Sequence, residues 1–208
     1  MSQRRNGWIW IVVIAAAALV VAASFYLDKA VHDWQHEHRW KNIQVLSRNV
    51  TRLTDWPAHA VIGLVCAGIA WWKGNKRWTR VFLMMILAGA LSGATAYTLK
   101  ISTGRVRPAV KTESGWGGPD KRQNYQSFPS GHTAFSSAFF GVLLFVSWRV
   151  GLLCLPIPLF VGFTRIFLGA HYFSDVVCAF IIGLLCAFIV AALFLKERKP
   201  AIELETVA

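Results

Sequence analysis

Two histidines with polar neighbours stand out in a sequence that is otherwise dominated by apolar runs. His171 is followed four residues later by Asp175, a spacing that places both side chains on one face of a helix. A carboxylate there can hold one imidazole nitrogen, fix the tautomer and leave the other nitrogen free as a nucleophile. A structural His–Asp hydrogen bond would have the same spacing, so the pair alone leaves both interpretations open.

The second histidine, His132, follows the tripeptide Pro129-Ser130-Gly131. Ser130 is a favourable N-cap residue, and Gly131 lets the backbone approach a ligand closely. A helix that begins here presents free N–H groups and the positive end of its dipole, which together favour an anion. A plain capped helix would explain the serine, but it would not explain a histidine directly inside the cap.

Three cations accompany these histidines, namely Lys100, Arg107 and Arg165. Together they suit a phosphate with two or more charges, because arginine binds its oxygens in bidentate fashion and lysine adds a point charge. The competing interpretation is that basic side chains near apolar segments extend to the interface and contact lipid head groups. We assign that interfacial role to four other cations of the region: Arg105, Lys111, Lys121 and Arg122.

These polar clusters belong to a very apolar chain of 208 residues. It is 55% hydrophobic and only 15% charged, with a mean hydropathy of +0.46. Six segments approach the length of about 20 residues that a helix needs to cross a bilayer. The sequence therefore predicts an all-α fold, a polytopic membrane helical bundle with six transmembrane helices that forms one domain over residues 1–208. The predicted segments are 7–27, 56–72, 81–99, 133–148, 152–168 and 176–195.

The net charge of +12 would suggest nucleic acid as the partner of a soluble protein. Here most cations flank apolar segments, as the positive-inside rule requires, so we expect membrane lipids and no nucleic acid as partners. With six spans, both termini are predicted to lie in the cytoplasm. The loops 28–55, 100–132 and 169–175 then lie outside, which brings all three polar clusters to the outer face.

The N-terminal third contains weaker signals. The first apolar segment could be a cleaved signal peptide, with a weak site at Ala22-Ala23-Ser24, but its length favours an uncleaved anchor. The repeat of Ile43, Leu46, Val50 and Leu53 predicts an amphipathic helix, either at the membrane surface or packed on the spans. We expect no metal site at His32, His36 and His38, which lack acidic or cysteine partners, and no disulfides among Cys66, Cys154, Cys178 and Cys186.

Taken in order, the polar clusters resemble the type-2 phosphatidic acid phosphatase family of membrane lipid phosphate phosphatases. The signature of that family is K-x6-R-P, P-S-G-H and S-R-x5-H-x3-D, and this chain matches all three parts with their spacing intact. The one departure is Thr164 where the family usually has serine, and threonine keeps the hydroxyl. The motifs cover residues 100–175, and the six-span layout extends the resemblance over most of the chain.

The resemblance implies a role for each residue. His171 attacks phosphorus to form a phosphohistidine, and Asp175 orients it. His132 protonates the leaving alkoxide and then activates water. The phosphate oxygens are bound by the remaining motif residues: Lys100, Arg107, Ser130, the Gly131 N–H and Arg165. No acidic cluster accompanies these residues, so no metal or other cofactor is expected.

The expected substrate is a lipid phosphate, because the predicted site lies where the membrane meets water. Candidates are phosphatidic acid, phosphatidylglycerol phosphate, a polyprenyl pyrophosphate and a lipid A phosphate, in a bacterial inner membrane. The polar segment 109–127 could cover the site and select the head group. Two alternatives stay open: a lipid phosphotransferase using the same phosphohistidine, and a non-catalytic lipid-binding or transport protein. A soluble haloperoxidase and a channel fit the sequence less well.

Overall fold

The apolar runs of the sequence form long helices in a computed structural model, which describes residues 7–110 and 115–195. No strand occurs within those two stretches, so the predicted all-α class is confirmed. The helices are α1 (Gly7–Glu37), α2 (Lys41–Leu53), α3 (Trp56–Trp72), α4 (Lys76–Thr103), α5 (Gly131–Val146), α6 (Trp148–Cys154), α7 (Pro156–Phe167) and α8 (Phe173–Leu195), with a 3-10 turn at Gln123–Tyr125.

Four helical stretches of the described chain are long and apolar enough to cross a membrane: Ile11–Glu37, Lys76–Thr103, Trp148–Phe167 and Phe173–Leu195. Helices α2 and α3 pass the same test only as a pair bent by 53°. Helix α5 has 16 residues, about 24 Å of helix, which is less than the roughly 30 Å hydrocarbon core of a bilayer. The architecture is thus a bundle with four or five apolar membrane-length helices, and the count of six spans stays a prediction.

Two helix boundaries differ from the predicted segments. Helix α1 continues past residue 27 to Glu37, so much of the predicted outer loop 28–55 is helical. The predicted segment 152–168 is divided into α6 and α7, because Pro156 lacks the N–H that a continuous helix would need and starts α7 instead. The predicted amphipathic helix is confirmed as α2.

Helices α4, α5 and α8 form the centre of the bundle. Small side chains at their contacts, including Ala88, Ala138 and Ala187, are fully buried and let the backbones approach closely. At Gly183 of α8 the approach is so close that a Cβ atom would overlap the hydroxyl of Ser137 on α5. Because α5 and α8 are fixed against each other, their N-terminal ends also have a fixed separation.

Helix α2 packs on α7 with part of its surface only. Ser47 is buried, whereas Leu46 and Leu53 on the apolar face are 50% and 72% exposed. The helix therefore combines the two predicted arrangements: it contacts the bundle, and it still presents an apolar face. The four cysteines are free thiols, two of them buried (Cys178, Cys186) and two half-buried (Cys66, Cys154).

Candidate active site

The three polar clusters meet at one end of the bundle. The backbone N–H of Ser130, at the start of α5, donates a hydrogen bond of 3.1 Å to the carbonyl of Asp175 at the start of α8. The Lys100 side chain from the end of α4 reaches the same place, since a Cβ at Gly131 would lie 3.6 Å from its Cε. Residues that are far apart in sequence are thus brought into one pocket.

His171 is held by the backbone more tightly than by its expected carboxylate partner. It lies in the turn before α8, two residues outside the helix, so the expected shared helix face is wrong. Its Nδ1 donates to the Ser127 carbonyl at 2.7 Å and lies 3.6 Å from Asp175 Oδ2. Because a carbonyl only accepts, Nδ1 carries the proton, and the neutral ring has its lone pair on Nε2.

Asp175 is fully buried, and its carboxylate is surrounded by donors. Its Oδ2 accepts from the Ser127 hydroxyl at 2.6 Å and from the Tyr172 N–H at 2.9 Å. Its Oδ1 accepts from Arg105 Nη1 at 2.5 Å. These bonds satisfy a charge that would otherwise be costly to bury, and they fix the carboxylate beside His171.

Arg105 is the ion-pair partner of this carboxylate, and the predicted interfacial role for it is wrong. Its side chain is only 8% exposed, and its guanidinium joins Asp175 to Asp28 of α1, with 2.6 Å between Nη2 and Asp28 Oδ2. The rings of Trp116 and Tyr172 cover the guanidinium at 4.8 and 4.2 Å. Two buried carboxylates and the aromatic rings hold this arginine inside, where a lipid head group cannot reach it.

Helix α1 forms hydrogen bonds on both sides of the turn that carries His171. Asp28 Oδ1 accepts from the Ser174 N–H at 2.8 Å, and Gln35 Nε2 donates to the Phe167 carbonyl at 3.0 Å. The first bond caps the start of α8 and the second caps the end of α7. Helix α8 begins at Phe173 and thus takes an acceptor for its first turn from α1.

The three cations assigned to phosphate form no ion pair with a carboxylate among the residues that the structure describes. Lys100 Nζ donates to the Gln126 carbonyl at 2.8 Å, and Arg107 Nε donates to the Gln123 carbonyl at 3.0 Å. Arg165 Nη1 lies 3.3 Å from the Thr51 hydroxyl, while its buried Nε has no partner in the described chain. One buried and two half-buried cations without a carboxylate partner in the described residues are suited to binding an anion.

His132 stands at the start of α5 and faces a carboxylate that the sequence did not indicate. Its Nε2 lies 3.4 Å from Oδ1 of Asp55, the N-cap residue of α3. Ser130 occupies the predicted N-cap position of α5, but its hydroxyl accepts from Thr133 Oγ1 at 3.0 Å instead of capping a backbone N–H.

Burial and positive charge lower the pKa of both histidines. Burial lowers the pKa of His171 to about 3, and repulsion from Lys100 and Arg165 acts in the same direction, against Asp175. For His132, in the first turn of α5, burial and then repulsion from Arg165 lower the pKa to about 4, while Asp55 opposes the shift. Burial also lowers the pKa of Arg107. A bound anion would oppose these effects.

No cluster of three histidine, cysteine or acidic side chains that could hold a metal ion occurs in residues 7–110 and 115–195. Lys121 and Arg122 are exposed, as an interfacial role predicts, and Arg122 pairs with Asp120. Lys111 lies outside the described residues.

Four residues of the site were not identified from the sequence: Asp28, Asp55, Arg105 and Ser127. Asp55 carried a local signal, because an aspartate two residues before Pro57 is typical of a helix N-cap. Asp28 carried a weaker one, since a carboxylate at the end of a long apolar run needs a partner. Nothing in the local sequence distinguishes Arg105 from the neighbouring cations.

The chain is similar to curated lipid A 1-phosphatases of two Rhizobium species. It is 33% identical to the Rhizobium johnstonii protein over 124 residues, which is 57% of this chain and 49% of the relative. It is 38% identical to the Rhizobium etli protein over 97 residues, 44% of this chain and 41% of the relative. The chain thus matches less than half the length of each of these relatives.

Two solved structures share the fold. One is a transmembrane PAP2-type phosphatidylglycerolphosphate phosphatase from Bacillus subtilis, with a TM-score of 0.68 and 23% identity over 91% of this chain and 97% of that one. The other is LpxE from Aquifex aeolicus, with a TM-score of 0.59 and 22% identity over 79% and 94%. The family model of the PAP2 superfamily matches residues 77–199, which contain all three motifs. The chain therefore belongs to the PAP2 superfamily.

Proposed function

We propose that this protein hydrolyses a lipid phosphate monoester or pyrophosphate through a phosphohistidine, without a metal ion. The observation that carries the proposal is a group of three cations beside the two histidines, the buried Arg165 and the half-buried Lys100 and Arg107, which form no ion pair with a carboxylate in the described part of the chain. Phosphoryl transfer depends mainly on positioning and on charge stabilisation, and three fixed cations supply the charge that magnesium often provides.

In the first step, the Nε2 lone pair of His171 attacks phosphorus and the bond to the lipid oxygen breaks. His132 gives its proton to that oxygen, so the lipid leaves as an alcohol from a monoester and as a lipid monophosphate from a pyrophosphate. Nδ1 of His171 keeps its proton and its hydrogen bond to the Ser127 carbonyl, and Asp175 at 3.6 Å stabilises the positive charge on the phosphorylated ring. Lys100, Arg107, Arg165, Ser130 and the Gly131 N–H bind the phosphate oxygens in this proposal.

In the second step, water replaces the histidine. Neutral His132 takes a proton from the water as its oxygen attacks phosphorus, and the P–N bond breaks to return the electron pair to Nε2 of His171. Inorganic phosphate leaves, and His132 is again protonated for the next turnover.

We infer a membrane arrangement from the apolar helices and from the cations that flank the apolar segments. Six spans place both termini in the cytoplasm and the site at the outer face of a bacterial inner membrane, with residues 1–208 as one domain. The similarity to lipid A 1-phosphatases and to a phosphatidylglycerolphosphate phosphatase supports a lipid substrate whose chains remain in the bilayer. Phosphatidic acid and a polyprenyl pyrophosphate are the other two candidate substrates.

We expect phosphate release in detergent to continue in excess EDTA, within about twofold of the rate with magnesium, because the positive charge comes from side chains. The assay uses a panel of the four candidate lipids, with a second lipid alcohol offered as acceptor. Rapid quenching with labelled substrate is expected to trap an acid-labile phosphohistidine, mapped to His171 by mass spectrometry. Loss of activity in EDTA or a label on another residue would contradict the mechanism, and transfer to the acceptor would identify a phosphotransferase.

The pH dependence is expected to differ between kcat/KM and kcat. The lowered pKa of His171, about 3, keeps its neutral form available down to acidic pH. His132 must be protonated, and its pKa of about 4 places the alkaline limb of kcat/KM, which reports the free enzyme, at low pH. Bound phosphate offsets the repulsion by the cations and raises this pKa, so the alkaline limb of kcat should lie at higher pH. Coincident limbs in the two profiles would contradict this assignment.

A further inference from the structure

A second carboxylate lies beside the site, at the bend between α2 and α3. Asp55 Oδ1 is 3.4 Å from Nε2 of His132, and the Asp55 side chain is half exposed. Each of the two histidines therefore has an aspartate within 4 Å, Asp175 for His171 and Asp55 for His132. The first aspartate belongs to a sequence motif, whereas the second lies 77 positions before its histidine and outside every motif.

We propose that Asp55 is the positioning residue for His132: it orients the imidazole through Nε2 and stabilises the protonated ring. Nδ1 is then the nitrogen that faces the substrate and exchanges its proton with the lipid oxygen and with water. This inference deepens the proposed function, on which its catalytic part rests.

The charges around His132 explain why it needs such a partner. Arg165 from α7, Lys100 from α4 and Arg107 from the loop after α4 all repel a proton on this ring. Asp55, from the start of α3, is the charged group that favours the proton. A general acid among phosphate-binding cations must carry its proton at the moment of reaction, and the negative charge of Asp55 beside the ring favours that proton.

A purely structural role accounts for only part of the geometry. Asp55 also caps α3, accepting the Trp56 N–H at 2.9 Å with the same Oδ1 atom that faces His132. An asparagine would cap the helix equally well, because both residues are among the best N-caps. The contribution that only aspartate makes is its negative charge, which acts on His132.

The segment that joins α2 to α3 contains Asp55, and it also contacts Arg165, one of the proposed phosphate ligands. Thr51, one turn before Asp55, lies 3.3 Å from Arg165 through its hydroxyl. One segment therefore supports the general acid and one phosphate ligand together, and it fixes their relative position without touching the nucleophile.

The experiment compares wild type with Asp55→Asn, which keeps side-chain size and the helix cap but removes the charge. Asp33→Asn is the matched control, because Asp33 is an exposed aspartate whose partner is Lys29 of α1. The first readout is the titration of the His132 ring by NMR in detergent without substrate, with the signal identified by its loss in His132→Gln. The second readout is the pH profile of kcat for phosphate release.

In Asp55→Asn we expect the His132 titration and the alkaline limb of kcat to move about 0.5–1 pH unit lower. We also expect kcat to fall about tenfold, with KM within twofold of wild type. Asp55→Glu should recover part of the limb position, and Asp33→Asn should match wild type. A His132 titration that is the same in wild type and Asp55→Asn would overturn the proposal. Because that titration needs no turnover, it tests the pair even if wild type releases no phosphate, a result that would instead reject the proposed function.

Discussion

Replacing His171 by alanine is expected to lower kcat for phosphate release by about 10⁴-fold or more and to remove the trapped covalent intermediate. In the proposed mechanism this side chain supplies the atom that bonds to phosphorus, whereas His132 transfers protons and the cations position the phosphate and stabilise its charge. In the structure the ring is buried, with Nδ1 bound to the Ser127 carbonyl, so that Nε2 is the nitrogen left to attack. Water cannot take over efficiently at a site shaped to hold an imidazole.

Two further variants separate this expectation from general damage. His38→Ala is the matched control, because His38 contacts Trp34 and Trp40 near the end of α1, and it should retain wild-type activity. His132→Ala should still form the labelled intermediate from an aryl phosphate, whose leaving group needs no protonation, but should hydrolyse it slowly. Residual phosphate release by His171→Ala near the wild-type rate would remove His171 from the role of nucleophile.

The helices and the group of motif residues could be predicted from the sequence because both depend on local signals. Long apolar runs predict membrane-length helices. Every second loop between them is short and carries lysine or arginine, and this alternation predicts which helix ends share a membrane face. The loop charges alone therefore predict that Lys100, His132 and His171 lie at the same end of the helical bundle. The short α5 and the bent α2–α3 pair show its limit, since apolar composition does not state how a helix of marginal length sits in a bilayer.

The contacts between distant segments could not be predicted, because they depend on the relative position of helices. The bond from His171 to the Ser127 carbonyl involves a backbone atom, which leaves no trace in residue type. The approach of Asp55 to His132 depends on the bend before α3. The motif pattern indicated a direct hydrogen bond between His171 and Asp175. In the structure, His171 Nδ1 instead bonds to the Ser127 carbonyl, and Asp175 lies 3.6 Å away.

Arg105→Gln is expected to destabilise the protein by about 3–5 kcal/mol and to reduce kcat strongly. The substitution leaves Asp28 and Asp175 buried without their shared counter-ion, and an uncompensated buried charge costs more than the ion pair contributes. It also removes one of the donors that hold the carboxylate beside His171, so the orientation of the His171 ring should depend more on the Ser127 carbonyl. Thermal unfolding in detergent measures the first effect, and phosphate release below the unfolding temperature measures the second.

Arg122→Gln is the matched control for this substitution. Sequence reasoning gave both arginines the same interfacial role, but Arg122 is 71% exposed and pairs with Asp120 at the surface, where an ion pair contributes little. Its loss should leave the unfolding temperature and kcat close to those of wild type. Arg105→Lys keeps the charge but lacks the planar guanidinium that binds two carboxylates at once. The stability and kcat of this variant should therefore lie between those of wild type and Arg105→Gln. Equal stability of Arg105→Gln and Arg122→Gln would show that the pairing of Asp28 and Asp175 through Arg105 does not hold the α7–α8 turn, and the orientation of His171 would then rest on the Ser127 carbonyl alone.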